Sequence, residues 1–231
     1  MSEENVPEAH TNEGDNDPVD VETMFTFSDR SDRPRVTPQF LFKYWETVDN
    51  SVGITPFYSH NPRFKYHQFS NFSDNGFNFK IPYGLKKGDT VTVLCSEQAI
   101  MLCKASLMND EVTYTKLIYC KTPQLCKRLG REVRDFDQEL WDNHICKIAK
   151  KIIISKFLSS EELIKLLLST RNTLIVEAAP NDCIWGIGLH IKNTNINDPT
   201  KWRGSNVLGW SLMEAREYFM NMSLGTYWRY R

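Results

Sequence analysis

The sequence lacks the patterns that mark membrane, secreted and metal-binding proteins. No stretch approaches the roughly 18 apolar residues that a membrane-spanning helix needs. The segment from Met1 to Asp20 has acids, asparagine and proline where a secretory signal would have basic and apolar regions. The cysteines form no Cys-x-x-Cys pair and the histidines show no paired spacing, so neither a disulfide framework nor a zinc site is indicated. We expect an intracellular, cytoplasmic protein with no membrane partner, no metal and no organic cofactor.

An excess of positive charge is also absent. The 28 lysines and arginines nearly balance the 29 acids, for a formal net charge of -1. Because proteins that bind long nucleic acids usually present a basic surface, this balance disfavours such a partner and leaves a nucleotide-sized ligand open. What the chain does have is a globular composition that is rich in aromatic residues, at 12%. Its 231 residues suffice for one domain with a sizeable core.

Composition divides the chain into four predicted parts. Residues 1–22 form an acidic tail that we expect to be disordered, and residues 23–54 an accessory segment. An aromatic cluster in that segment, Phe40, Phe42, Tyr44 and Trp45, is expected to pack back on the main domain as a strand or turn. The main domain covers residues 55–222, and residues 223–231 form a C-terminal tail.

Within the main domain, strands precede helices. Short apolar runs between Thr55 and Leu94, separated by turn residues, predict strands, with a hairpin loop at Gly84–Gly88. After Cys95 the spacing becomes helical, with Ser96 as the predicted N-cap. The sequence Ser159-x-x-Glu162 predicts a capping box, followed by a strand at 173–176 and a last helix. The fold class is therefore mainly α with a small β element.

An apolar stripe and a set of lysines alternate between Asp137 and Phe157. The stripe consists of Trp141, Ile145, Ile148, Ile152 and Phe157. The lysines are Lys147, Lys150, Lys151 and Lys156, which we expect on a solvated face.

The segment Glu177–Gly188, EAAPNDCIWGIG, places two carboxylates and Trp185 beside two glycines. Glycine allows close approach of the backbone to a ligand, and tryptophan can stack on a flat ring. The alternative is a structural turn with a buried tryptophan, in which Asp182 is a cap. Both interpretations remain open at this point.

Two further places combine charge with a helix start. Glu97 lies in the first helical turn, where the macrodipole favours an ionised carboxylate, although routine surface glutamates also occur there. Lys104, seven residues later, lies on nearly the same face. Arg203 with a following helix N-terminus would suit a phosphate, or Asn206 simply caps that helix. Arg216, farther along, either pairs with a core carboxylate or reaches the site.

A series of motifs runs through the main domain: Phe69-Ser-Asn-Phe72, Ser96-Glu97-Gln98 with Lys104-Ala105, Leu129-Gly130-Arg131, Trp141, Lys156-Phe157, residues 167–170, Glu177–Gly188 and Trp202–Arg216. In this order the series resembles the NADAR (YbiA-like) family over about residues 55–219. The resemblance implies a YbiA-like single-domain helical fold and makes residues 55–222 the catalytic domain. Gln98 and Ala99 depart from the His and aromatic residues of many bacterial members, which leaves the substrate undefined.

The resemblance also implies an activity. Family members are N-glycosidases, which act on phosphoribosylamino-pyrimidine intermediates of riboflavin biosynthesis or remove ADP-ribose from guanine bases, including those of nucleic acid. The family's carboxylates match Glu97 and Asp182, and its tryptophans match Trp141 and Trp185.

The chemistry suggests a role for each candidate. One carboxylate stabilises the oxocarbenium-like cation and orients water, and the other holds a ribose hydroxyl or assists base departure. The substrate-binding candidates are Asn71, Phe72, Lys104, Trp141, Trp185, Gly186, Arg203 and Asn206, with the tryptophans stacking the base and Lys104 and Arg203 holding phosphate. The alternative function is a non-catalytic module that binds ADP-ribose or a nucleotide.

Overall fold

Two short two-stranded sheets form the β part of the structure. Strand β1 (Ile54–Phe57) pairs in parallel with β4 (Leu174–Glu177), so that Phe57 lies opposite Glu177. Strand β2 (Phe77–Lys80) pairs antiparallel with β3 (Thr90–Val93). In the connecting loop, Gly84 and Gly88 both have positive φ, which confirms the predicted hairpin.

Helices make up most of the rest. The computed structural model describes the backbone of residues 35–229 and the side chains of residues 35–222. Within them the α-helices are α1 (Pro38–Trp45), α2 (Ser96–Leu107), α3 (Glu111–Ile118), α4 (Pro123–Gly130), α5 (Gln138–Asp142), α6 (Ile145–Leu158), α7 (Glu161–Leu168) and α8 (Val207–Arg229). Three 3₁₀ turns cover His67–Phe69, Thr194–Asn197 and Pro199–Lys201. The predicted α+β class with a small β element is confirmed.

Helix α6 lies at the centre of the core. It packs against α2, α8 and β2, and α8 packs against β4. The predicted apolar stripe is buried throughout, from Trp141 to Phe157, although it is divided between α5 and α6. This core fixes the ends of α2, α5 and β4, which carry the candidate site. None of the helices within the described residues is long and apolar enough to cross a membrane.

The aromatic cluster of the accessory segment forms a helix, α1, where a strand or turn was expected. Thr37 caps it, with its Oγ1 accepting a 3.1 Å hydrogen bond from the Phe40 N–H, and Pro38 occupies the first turn. Leu41 and Trp45, four residues apart, face the core, and Trp45 Nε1 donates a 2.8 Å hydrogen bond to the Ser205 carbonyl oxygen. The cluster therefore does pack on the main domain. The 1–22 tail and residues 23–34 lie outside the described residues, and α8 continues into the segment predicted as a C-terminal tail.

Two helix starts differ by one residue from the predicted caps. Helix α2 begins at Ser96 itself, with Cys95 as N-cap and no side-chain capping bond. Ser160, and not Ser159, caps α7 by accepting a hydrogen bond from the Leu163 N–H. Ser159 instead ends α6, where its hydroxyl donates to the Lys156 carbonyl oxygen at 2.6 Å. Ser159, which the sequence pattern assigned to the start of α7, thus lies at the end of α6.

The expectation that all four lysines of α6 face solvent is wrong for Lys156. Lys147 is exposed, but Lys156 is fully buried, with its Nζ donating to the carbonyl oxygens of Gln68 at 2.6 Å and Ser70 at 3.0 Å. Lys156 follows Ile152 by four residues, so it falls on the apolar face of the helix. Burial lowers the pKa of Lys156 to about 7. This buried lysine holds the loop that precedes the candidate site.

Candidate active site

A cleft of about 310 Å³ opens between α2, α4, α5 and the loop after β4. This volume is typical of sites for small ligands. The lining residues are Glu97, Met101, Lys104, Lys127, Gly130, Arg131, Phe136, Gln138, Trp141, Asp142, Ile145, Asp182, Ile184 and Trp185. The structure therefore brings five sequence candidates together: Glu97, Lys104, Trp141, Asp182 and Trp185.

Glu97 is a buried carboxylate that faces the cleft. Only 4% of the residue is exposed, and no described residue forms a hydrogen bond or ion pair with its carboxyl group. Burial raises the pKa of Glu97 to about 7, with Asp182 adding to the rise and Lys127 and Arg131 opposing it. The macrodipole favours an ionised Glu97, but loss of solvation outweighs this preference and raises the pKa. The alternative of a routine surface glutamate is excluded.

Asp182 lines the cleft from the loop that follows β4. Its Oδ1 accepts hydrogen bonds from the main-chain N–H groups of Ile184, at 3.1 Å, and Trp185, at 2.8 Å. Two backbone donors stabilise the anionic carboxylate and fix its direction. Asp182 is therefore both the local turn residue that one interpretation predicted and a lining residue of the cleft.

Close backbone packing holds this loop in place. A Cβ on Gly204 would lie 2.3 Å from the Gly186 carbonyl oxygen and 2.8 Å from the Cys183 Cα, so only glycine fits there. The loop is also tied to α8, since the Leu208 N–H donates to the Trp185 carbonyl oxygen at 3.1 Å. The loop and the start of α8 consequently form one rigid support for Asp182 and Trp185.

Two tryptophans give the cleft flat apolar walls. Trp141 comes from α5 and is 7% exposed, whereas Trp185 comes from the loop and is half-buried. Their elements are separate in sequence, and both rings border the same space as the carboxylates. Such surfaces suit a planar ring better than an aliphatic ligand.

Three cations line the cleft. Lys104 Nζ donates to the Gly130 carbonyl oxygen at 2.9 Å and lies 4.1 Å from the centre of the Phe136 ring, and burial lowers the pKa of Lys104. Lys127 and Arg131, four residues apart on and just after α4, were absent from the sequence candidates. Their i,i+4 spacing was a usable signal, because it places both on one helix face. Because Lys104 already contacts the Gly130 carbonyl oxygen and the Phe136 ring, Lys127 and Arg131 are the cations most available to bind an anion.

Five sequence candidates do not line the cleft. Asn206 is buried, and its side chain bridges β4 by accepting from the Glu177 N–H and donating to the Ile175 carbonyl oxygen. Arg203 is exposed on the surface. Gly186 is buried and packs its carbonyl oxygen against Gly204. Asn71 and Phe72 contact two lining residues: the Asn71 carbonyl oxygen accepts from the Glu97 N–H at 2.9 Å, and Lys127 Nζ is 5.6 Å from the Phe72 ring centre.

Arg216 takes neither of its two predicted roles. Its Nη1 donates to Thr170 Oγ1 at 2.8 Å and to the Thr173 carbonyl oxygen at 2.9 Å. This arginine therefore stabilises the turn before β4.

The described residues contain no cluster of three His, Cys, Asp or Glu side chains arranged to hold a metal ion.

The fold and the cleft define a class of protein: an α+β domain with a ligand-sized site of carboxylates, cations and tryptophans. A family model for the NADAR domain matches residues 56–220. The chain belongs to the NADAR domain family.

Individual relatives agree with this assignment. The chain is 42% identical over 123 residues to N-glycosidase R617 of Acanthamoeba polyphaga mimivirus, covering 53% of this chain and 72% of the viral protein. It is 33% identical over 156 residues to Protein irg-1 of Caenorhabditis elegans, covering 64% and 74% of the two chains. The NMR structure of the Escherichia coli protein YbiA superposes with a TM-score of 0.57 at 28% identity, covering 74% of this chain and 88% of YbiA. The resemblance found in the sequence and its implied fold are confirmed.

Proposed function

We propose that this protein hydrolyses the bond between a phosphorylated ribose, as phosphoribosyl or ADP-ribosyl, and a planar nucleobase-like group. The chain is a hydrolase of N-glycosyl compounds by family, since the relatives that carry an activity in their names are N-glycosidases. The riboflavin-pathway phosphoribosylamino-pyrimidine and ADP-ribosylated guanine, expected from the resemblance, both contain this bond. Both also fit a cleft that combines tryptophans with cations.

One observation carries the proposal: Glu97 is 4% exposed, lines the cleft and has no partner among the described residues for its carboxyl group. A carboxyl group that is largely removed from solvent and lines a cleft is costly to keep ionised, so its retention suggests a role toward a ligand. With a pKa raised to about 7 by burial, Glu97 is present in both protonation states near neutral pH. That is the property of a group that gives and then takes a proton.

The reaction assigns different work to the two carboxylates. As the bond from C1′ to the base nitrogen breaks, positive charge develops on the sugar and the leaving nitrogen needs a proton. Protonated Glu97 supplies this proton, and the Asp182 carboxylate, fixed by two backbone N–H groups, stabilises the cation. Water then adds to C1′ and returns a proton to Glu97, so that the products are the free sugar and the free base.

The remaining lining residues recognise the two ends of the substrate. Trp141 and Trp185 hold the planar base. Lys127 and Arg131 at the end of α4 hold the phosphate, assisted by Lys104. This assignment moves the phosphate contact from Arg203, which is on the exposed surface, to two cations that line the cleft.

A substrate panel tests the proposal. The full chain is incubated with a phosphoribosylamino-pyrimidine, with ADP-ribosylated guanosine and with an ADP-ribosylated oligonucleotide, and the released base is quantified by liquid chromatography. Release from at least one substrate is expected. No release from any, with ligand still quenching tryptophan fluorescence, would replace the proposal with the non-catalytic ADP-ribose-binding module.

A further inference from the structure

Helix α5 borders the cleft with a face that carries a tryptophan and a carboxylate. Gln138, Trp141 and Asp142 all line the cleft, and their spacing of three and four residues places them on one side of the helix. Along that side, Gln138 Nε2 donates a 2.8 Å hydrogen bond to Asp142 Oδ1. Asp142 therefore lies in the same wall as the tryptophan that holds the base, but it takes no part in the proton transfer or the phosphate contact proposed above.

A residue of the accessory segment reaches this wall. Gln39 Nε2, on α1, donates a 2.9 Å hydrogen bond to Asp142 Oδ2. Helix α1 is itself anchored, because Trp45 is buried and bonded to the Ser205 carbonyl oxygen. Gln39 precedes residue 56, where the family match begins. The support for Asp142 thus comes partly from outside the matched domain.

The two amides define what the Asp142 carboxylate can still bind. Each of its oxygens accepts one N–H, from Gln138 at Oδ1 and from Gln39 at Oδ2. A carboxylate oxygen offers about two acceptor positions, so each oxygen keeps one. Because Asp142 is half-buried and lines the cleft, a ligand there can approach these positions. Two neighbouring acceptors match a pair of parallel N–H donors, as on the edge of a base, and they repel phosphate.

We propose that Asp142 binds the N–H edge of the leaving base and thereby selects bases with an amino group beside a ring N–H, as in guanine. This inference rests on the proposed function, since it takes the base to lie against Trp141. The tryptophan ring holds the face of the base, and the carboxylate holds its edge. The phosphate-binding cations Lys127 and Arg131 come from the end of α4, a different element. Attraction there and repulsion at Asp142 together orient the substrate.

Two nucleotides that differ by one amino group test this assignment through binding. Calorimetry compares guanosine 5′-monophosphate with inosine 5′-monophosphate on the full chain, and liquid chromatography of the same samples records any released base. The wild type is expected to bind the guanine nucleotide about tenfold or more tightly, because the inosine nucleotide leaves one carboxylate oxygen without its N–H partner. Asp142→Asn, which replaces one acceptor with a donor, is expected to remove the preference. Gln39→Ala is expected to reduce it, since Oδ2 loses the donor that holds it.

Three results overturn the proposal: no preference in the wild type, an equal preference in Asp142→Asn, or no binding of either nucleotide. Glu139→Gln is the matched control and should keep the wild-type preference, because Glu139 is an exposed acid of the same helix that is not among the lining residues. Circular dichroism checks each variant's fold. If Asp142→Asn does not fold, Gln39→Ala decides, and an unchanged preference there overturns the proposal.

The same experiment separates this inference from the proposed function. A preference that Asp142→Asn removes, together with no base release from any substrate of the panel, refutes the hydrolysis alone. Base release from the panel, together with a preference that Asp142→Asn leaves unchanged, refutes the assignment of Asp142 alone.

Discussion

The main-chain N–H of Glu97 donates a 2.9 Å hydrogen bond to the carbonyl oxygen of Asn71. This bond joins the first turn of α2 to the loop after the first 3₁₀ turn. Lys156 holds the same segment, because its Nζ donates hydrogen bonds to the carbonyl oxygens of Gln68 and Ser70. A buried lysine on α6 thus supports the segment that positions the carboxylate at the centre of the cleft.

Lys156→Met is expected to weaken both the fold and the site. The methionine fills the space, but two buried carbonyl oxygens lose their donor, which costs about 2–4 kcal/mol of unfolding free energy. The activity is also expected to fall, because the loop that binds Glu97 is loosened. Urea unfolding and base release measure the two effects. Lys147→Met, at an exposed position of the same helix, should change neither, and an equal effect of both substitutions would argue against the role of Lys156.

Stability is expected to fall as the pH rises from about 5 to 7. Burial raises the pKa of Glu97 to about 7 and that of Glu177 to about 8, from an ordinary value of 4.5. Between these values the folded state holds protons that the unfolded state has lost, so each pH unit removes up to about 1.4 kcal/mol per group. Urea unfolding at several pH values shows the slope. Glu177→Gln should make the slope shallower, leaving the contribution of Glu97, and Glu161→Gln, at an exposed position of α7, should not change it. A wild-type stability that rises with pH over this range would contradict the account.

Lys127→Met and Arg131→Met are expected to weaken binding of phosphorylated ligands about tenfold or more each, because each removes a charge-assisted hydrogen bond to phosphate. Binding of the matching nucleoside without phosphate should change little. Arg203→Met, at an exposed arginine away from the cleft, is the matched control. Calorimetric titration provides the affinities. A larger loss of affinity in Arg203→Met than in Lys127→Met and Arg131→Met would indicate that phosphate binds at the loop before α8 instead.

Gly204→Ala tests the rigid support of Asp182 and Trp185. The new methyl group would lie 2.3 Å from the Gly186 carbonyl oxygen, so the backbone must shift at a cost of about 1–3 kcal/mol. Both the melting temperature and kcat are expected to fall. Gly53→Ala is the control, because its nearest neighbour, a methyl group of Thr173, lies at an ordinary 3.5 Å. Unchanged activity in Gly204→Ala would mean that the loop need not be rigid.

The spacing of apolar residues predicted the helices and strands well, because burial in the core requires that spacing. The strands, the hairpin and the apolar stripe of α5 and α6 all follow residue patterns that burial requires. The caps were less predictable, since Ser159 and Ser160 both qualify and only the end of α6 decides which one starts α7. Lys156 was wrongly predicted to face solvent because its charged side chain was given more weight than its position. It lies four residues after Ile152, on the apolar face of the helix.

The lining of the candidate site was predictable where chemistry and family motif coincide, as at Glu97, Asp182, Trp141 and Trp185. Lys127 and Arg131 were not found because a basic helix end is usually only a solvated surface. Their i,i+4 spacing places them on one helix face, but it does not show that this face borders a cleft. The pKa of Glu97 was equally hidden, because position in a helix is visible in a sequence but burial of one carboxyl group is not.

The central claim is that Glu97 transfers the proton in hydrolysis of an N-glycosidic bond. The most direct measurement compares wild type with Glu97→Gln on the best substrate of the panel, following base release together with ligand binding by tryptophan fluorescence. Glutamine keeps the size of the side chain but cannot exchange a proton, so base release should slow roughly 100- to 10,000-fold while affinity stays within a few-fold. A Glu97→Gln enzyme that releases base at the wild-type rate would contradict the account.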